Sequence, residues 1–519
     1  MRHWMVLAEC LRGEGNIARF FDRVHVGRRS GRNANGVCMR RVCLLSMLFL
    51  GIAGASTRAD AMPNFSRKLG VGCETCHTPA IPKLNETGFK FRAAGFRMPS
   101  DIGKEETAKK PDIGDYFAAR IQARYDTQST NQPNGAPITN CPANVCGPRT
   151  TTNAFSFMEA TLYPLTGSWG KYFGSLSELS VSPEDVFEIE NAYVRYVRGS
   201  ENAFFTVRAG VFHPFEGFGA SDRPLSNART LFQTSPIAAG GRAIPYVFQS
   251  WGLDEAGVEV GGDFNRLSIR GAVLGGTMMR WEEESGAFLP FPAQTGPWKG
   301  ANQAAAALGK PYTSLGHNTP DFSANATYIL NSEAGGLSAV YYHGNVATPT
   351  HCSHGAAIGA TLAGEPCGVS AAGVVGNTDF DFTSETGFLN HFDRVAFYGS
   401  YPMGKFLPMA GFQWGRDETP NSAAGFPAAD ATLTTFNSNG AFLDGAYQVN
   451  SNVTAGLRWD RFHPNTARVN TQWAITPYIN VPLNNGLQFI AEYSRRNFQL
   501  DASHDRQNDT FQVRLIFIM

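Results

Sequence analysis

The chain has 519 residues, with 44 basic and 44 acidic side chains, so no charge bias argues for a nucleic-acid partner or an acidic disordered tail. Charged residues make up 17% of it, while glycine (55) and phenylalanine (38) are abundant; an ordinary soluble protein carries about a quarter charged residues. That balance suits β-structure with a wide apolar surface.

The first element is a targeting segment. Arg40 and Arg41 precede an apolar run from Val42 to Ala55, and Ala59-Asp60-Ala61 offers a small-x-small cleavage site. This is the layout of a secretory signal peptide. The run covers 14 residues, short of the roughly 20 a spanning helix needs. Residues 1–38 sit upstream of it, so the reading places the true start at Met39, the alternative being a genuine cytoplasmic extension. Mature protein is expected from about Met62, outside the cytoplasm. The expected divisions are 1–61 for signal and extension, 62–110 for a small helical segment, and 111–519 for the β-domain.

Of the nine cysteines, Cys10, Cys38 and Cys43 precede the cleavage site. Cys141 with Cys146, and Cys352 with Cys367, lie in polar, turn-rich stretches and read as loop disulfides of an exported protein. The remaining pair forms Cys73-Glu74-Thr75-Cys76-His77, the attachment pattern of one covalent c-type haem. The two thiols add to the haem vinyl groups, and His77 is placed to be an axial iron ligand. A redox dithiol does not need His77 directly after the second cysteine, and a zinc site needs a second Cys-x-x-Cys that the chain lacks.

The sixth iron position is open. Met98, before Pro99 and after Gly95-Phe96, is a candidate thioether ligand; the alternative is a methionine that only packs. Leu84, Phe89, Phe91 and Phe96 are expected to wall the haem pocket. A unit of about fifty residues buries little core alone, so it should lean on the rest of the chain.

From Asp115 onward the period is two. Phe117, Ala119, Ile121, Ala123 and Tyr125 alternate with Arg120, Gln122, Arg124 and Asp126. Val453, Ala455, Leu457 and Trp459 alternate with Thr454, Gly456, Arg458 and Asp460. Such segments of about ten residues are the mark of a transmembrane β-barrel, because lipid cannot satisfy an open sheet edge. Sixteen strands are expected, near 115–127, 153–164, 171–181, 186–198, 203–213, 253–262, 266–276, 321–330, 336–346, 391–401, 406–417, 441–449, 452–462, 470–481, 486–498 and 509–519. Short turns then share one side, among them Gly167–Gly170, Ser332–Gly335 and Pro402–Gly404. Most long connections, such as 128–152, 214–252 and 277–320, fall on the other side, where both disulfides would lie. The rival architecture is a secreted β-sandwich, which rarely carries so many long strands in one meander. His351 and His354 flank Cys352 and read as solvated loop residues. The glycine- and aromatic-rich loop 212–225 could fold into the pore, as a plain constriction or in contact with the haem unit.

Taken together, Met62-Pro63-Asn64-Phe65-Ser66-Arg67-Lys68-Leu69-Gly70 before Cys73-x-x-Cys76-His77, then Leu84-Asn85, Gly88-Phe89 and Phe96, followed by a sixteen-stranded barrel, resemble the outer-membrane cytochrome–porin fusions. Among these the iron-oxidising monohaem cytochromes of chemolithotrophs are the nearest in pattern. The resemblance implies a haem plug in the pore or on its periplasmic side and Fe(II) oxidase activity at the cell surface. It implies as partners outer-membrane lipid, extracellular ferrous iron or another donor, and a periplasmic carrier such as a soluble cytochrome or copper protein. The alternatives are a haem-plugged porin and a metal importer without net electron transfer.

Overall fold

The computed structural model describes residues 63–78, 83–104, 112–131, 149–181, 187–215, 255–275, 320–333, 335–349, 387–420, 433–450, 452–464, 471–483, 486–499 and 505–519, with a few shorter pieces between them. The signal segment and all four loop cysteines lie outside the described residues, as do His351 and His354.

The dominant element is one antiparallel sheet. Its long strands are β1 Ala118–Asn131, β2 Arg149–Tyr163, β3 Phe173–Val181, β4 Phe187–Ser200, β5 Ala203–Phe212, β6 Glu255–Phe264, β7 Leu267–Leu274 and β8 Asp321–Ile329. They continue with β9 Gly336–Pro349, β10 Gly387–Ser400, β11 Phe406–Pro420, β12 Leu433–Asn450, β13 Val453–His463, β14 Gln472–Pro482, β15 Leu487–Gln499 and β16 Asp505–Ile518. Each pairs with the next, and β16 pairs back onto β1 from Arg120 opposite Ile518 to Asn131 opposite Gln507. Ala119 and Met519 exchange two backbone hydrogen bonds of 2.9 Å at that seam. The result is a closed sixteen-stranded barrel. The expected turn at Gly167–Gly170 instead contains a three-residue strand, Gly167–Trp169, which pairs only with Phe173–Ser175. The indole of Trp169 bonds the Ser175 hydroxyl there, which draws the turn into the sheet.

Alternation explains the closure. On β7, Leu267, Ile269 and Val273 face outward and are exposed, while Ser268, Arg270, Ala272 and Leu274 face inward and are buried. The same split puts Phe412, Trp414, Leu457, Trp459 and Phe517 on the outer surface and Arg208, Glu259, Arg458 and Asp460 inside. An outer face this apolar is stable only against lipid, and lipid tolerates no unpaired edge. This is the fold of a transmembrane β-barrel.

Several strands run further than the apolar pattern predicts. β2 begins at Arg149, β10 at Gly387 and β12 at Leu433, each several residues before the expected start. The added stretches are Arg-Thr-Thr-Thr on β2 and Leu-Thr-Thr-Phe-Asn-Ser-Asn-Gly on β12. The β2 stretch is polar throughout, so the ladder continues there beyond the apolar band, where alternation carries no signal.

Inside the barrel, at the short-turn end, sits the N-terminal segment. It contains α1 Pro63–Leu69, a 3-10 turn Cys73–Thr75 and α2 Glu86–Ala93. Asn85 caps α2 by accepting from the Gly88 amide at 2.9 Å. The helix ends in a Schellman motif: Phe96 N–H bonds the Phe91 carbonyl at 2.9 Å, with Gly95 left-handed at φ 69°. Gly95 then touches Gly174 of β3 backbone to backbone, and a Cβ on Gly174 would collide with the Gly95 carbonyl. Gly174→Val should therefore expel the segment without preventing closure. The expected outcome is a barrel that still migrates anomalously before boiling but whose residues 63–110 are cut readily by protease in detergent, which the wild-type protein resists.

Candidate functional site

Cys73 opens the 3-10 turn, and His77 N–H returns to its carbonyl at 2.8 Å, so both cysteines and the histidine share one tight loop. Two contacts fix that loop to residues 83 and 84. His77 forms an isolated bridge with Leu84, and Thr78 N–H bonds the Lys83 carbonyl at 2.9 Å. The Asn85 side chain donates to the Glu74 and Thr75 carbonyls at 3.2 and 3.1 Å. Gly88 lets α2 lie against the Cys76 carbonyl, where any side chain would clash.

The apolar surroundings are aromatic. Phe65 of α1 stacks on Phe96 at 5.2 Å and meets Phe91 edge-on at 5.1 Å. Cys76 and Met98 pack against the cluster that holds Phe91 and Phe96. Leu84, Phe89, Phe91 and Phe96 are all buried, as expected. They do not form one wall, however: Phe89 turns onto Ile329 of β8. Two residues apart on a helix point in different directions.

The wall grips the segment mainly on one side. Arg97 donates to the Gly170, Lys171 and Phe173 carbonyls at the β2–β3 turn. Asn64 donates to the Thr166 carbonyl at 3.2 Å and Lys68 to the Ser168 carbonyl at 3.1 Å. Arg195 of β4, fully buried, donates to the Arg92 carbonyl at 2.7 Å and the Ala93 carbonyl at 3.4 Å. Those carbonyls are the negative end of α2, so a cation there is favoured, by about 0.3–2 kcal/mol. Glu259 lies 3.7 Å from Arg195 and also pairs with Arg208.

On the opposite side a cavity of about 350 Å³ separates the segment from the wall. His77, Thr78 and Asn85 border it, facing Lys405, Leu407, Ala446 and Thr454. Met98 is not among its lining residues.

These residues fit a covalent haem. Cys73 and Cys76 are thiols and not a disulfide. Burial pushes the Cys76 thiol up to about 11, away from the thiolate of a reactive dithiol. A thioether carries no charge and suits the same place. No group of three or more metal-ligating side chains occurs among the described residues. Lys83 was not singled out from the sequence. Its ammonium is buried and has no hydrogen-bond partner among the described residues. A lysine in a polar connection carries no sequence sign of burial.

No known protein-family profile matches the chain, and no curated protein does. Solved structures similar to it are porins. An anion-selective porin from Comamonas acidovorans aligns at 8% identity over 77% of this chain and 99% of that one, with a TM-score of 0.45. The outer-membrane channel DcaP of Acinetobacter baumannii aligns at 9% identity over 80% of this chain and 100% of that one, TM-score 0.42. OmpF of Salmonella typhi aligns at 8% identity over 77% and 96%, TM-score 0.38.

Burial lowers the Lys83 ammonium to about 7 from 10.5, with Asp444 opposing that shift. Between these two values the displaced segment holds the proton and the docked segment does not, so docking strengthens as pH rises across the window. Lys83→Met should melt above the wild type at pH 6–7, and the gap should close towards pH 10.5. Melting curves followed by tryptophan fluorescence check this; a gap independent of pH would contradict it.

Proposed function

We propose that the chain is a monohaem electron-transfer protein of the bacterial outer membrane. It takes one electron from extracellular ferrous iron and passes it to a periplasmic carrier, a soluble cytochrome or a copper protein. The observation that carries this reading is the placement of Cys73-x-x-Cys76-His77 inside a transmembrane barrel, beside an aromatic cluster and a cavity.

A haem bound there supplies reversible one-electron chemistry. The chain's own residues do the rest. Cys73 and Cys76 would anchor the group covalently, and His77 would hold its iron. Phe65, Phe91 and Phe96 keep water from the anchoring turn, which raises the cost of charge there and so tunes the potential. Arg97 and Arg195 hold the segment against the wall, so the group has a fixed depth in the barrel. Ferrous iron gives up one electron and remains outside as ferric iron, which precipitates near neutral pH. Keeping the metal out and taking in the electron alone spares the cell that precipitate.

Met98 is our candidate for the sixth iron position. It packs against the cluster that also receives Cys76 and does not border the cavity beside His77, so ligation and packing are told apart by the variant below.

Two measurements test the proposal. Cys73→Ala with Cys76→Ala should abolish peroxidase staining of the denatured band while the barrel still inserts. Ferrous iron added outside intact cells should reduce the haem in the wild type, giving a sharpened visible spectrum. A haem that ferrous iron leaves oxidised would remove electron transfer from the reading and leave a haem-plugged porin.

A separate measurement concerns ligation. Met98→Ala should lose the weak sulfur-to-iron charge-transfer absorption of the oxidised form. Its potential should fall, since a thioether favours ferrous haem. A fall of about 60 mV makes reduction by ferrous iron about tenfold less favourable. An unchanged spectrum and potential would assign Met98 to packing.

A further inference from the structure

Open porins have polar, water-filled lumens. The lumen of this barrel is crossed by an apolar cluster. Leu176 on β3 and Met409 on β11, eight strands apart in a ring of sixteen and so on opposite walls, pack against the same buried core. The N-terminal segment supplies part of the bridge, through Phe91 and Phe96.

The loop after β5 supplies another part. Phe215, 4% exposed, stacks on Tyr398 of β10 with ring centres 5.4 Å apart and planes 19° from parallel. Tyr398 in turn meets Phe442 of β12 at 6.2 Å, and Phe442 is 2% exposed. The backbone of the loop is held by Asn325 of β8, which donates to the Pro214 carbonyl at 3.2 Å. Tyr342 of β9 stacks on Phe392 of β10 at 5.6 Å in the same core.

Among the described residues, several inward-facing charges are taken up in pairs along the wall. Arg208 is paired with Glu259, Arg270 with Asp263 and Arg458 with Asp460 along the wall. A water needs two to four polar partners to remain in a cavity, and apolar constrictions exclude water and ions together. The cavity beside His77 does not relieve this, because its lining is the segment itself and the short-turn rim.

We infer that the barrel is sealed: an aromatic septum built from the N-terminal segment, the loop after β5 and the β10–β12 wall makes it impermeable to dissolved ions and small solutes. The chain is then not a diffusion channel and not a conduit for metal ions. This follows from packing and not from the haem, so it stands or falls separately from the proposed electron transfer.

The test is conductance of the full haem-loaded chain in planar lipid bilayers, with swelling of proteoliposomes in small sugars as a second readout. Wild type should give no current steps and no swelling. Phe215→Ala combined with Phe442→Ala should give both, because it removes the two rings that flank Tyr398. Heat-modifiable migration of protein recovered from the same vesicles shows that each form has inserted. Porin-sized steps from the wild type would overturn the seal. A double variant that inserts yet stays silent would show that these rings are not the barrier, and would overturn the septum as drawn.

Discussion

The structure depends on one constraint: a backbone amide or carbonyl facing hydrocarbon must be bonded within the protein. A sheet meets it only by closing, and here β1 closes on β16 through Ala119 and Met519. Closure with sixteen strands has a geometric result. The lumen is wider than the side chains of its own wall can fill. A ring of this size is therefore either wet or occupied. Phe91 and Phe96 of the N-terminal segment and Phe215 of the loop after β5 are among the residues that occupy it.

Occupation sets a second problem, which is how to hold a small segment that has little core of its own. The wall holds it largely through backbone. Arg97 and Arg195 both reach carbonyls, and Gly95 meets Gly174 without any side chain between them. Contacts of this kind fix position to within a fraction of an ångström, since peptide groups do not change rotamer. Side-chain packing supplies the bulk of the contact, through Phe65, Phe91 and Phe96. Buried arginines would be costly alone. Arg195 and Arg208 share Glu259, and the end of α2 adds its partial negative charge.

The sequence made the barrel legible because lipid imposes the same alternation on every strand. Ile269 outward and Arg270 inward are visible without any structure. The start of β2 was not legible, since Thr150–Asn153 is polar throughout; on β12 Phe436 is buried in the core, but the polar Thr434, Thr435, Asn437, Ser438 and Asn439 around it hide the alternation. The Cys73–His77 motif could be singled out because two cysteines and a histidine at fixed spacing point to one chemistry. Its surroundings were only partly so. Phe91 and Phe96 could be named as wall residues, but nothing in the sequence separates them from Phe89, which faces β8. The Gly95–Gly174 contact and the bond from Arg195 to α2 join residues 79 and 103 positions apart. Such pairings have no local signature. Lys83 was missed for the same reason: only the closed wall buries it.

The enclosure of the N-terminal segment also constrains chronology. Residues 63–104 precede β1, and the wall that surrounds them is completed only when β16 reaches β1. The wall grips that segment mainly on one side, through Asn64, Lys68, Arg97 and Arg195. The part of the chain made first is thus enclosed by the part made last, and β16 is the clasp that completes the enclosure. A chain cut short before β16 would therefore leave the segment without its closed surround.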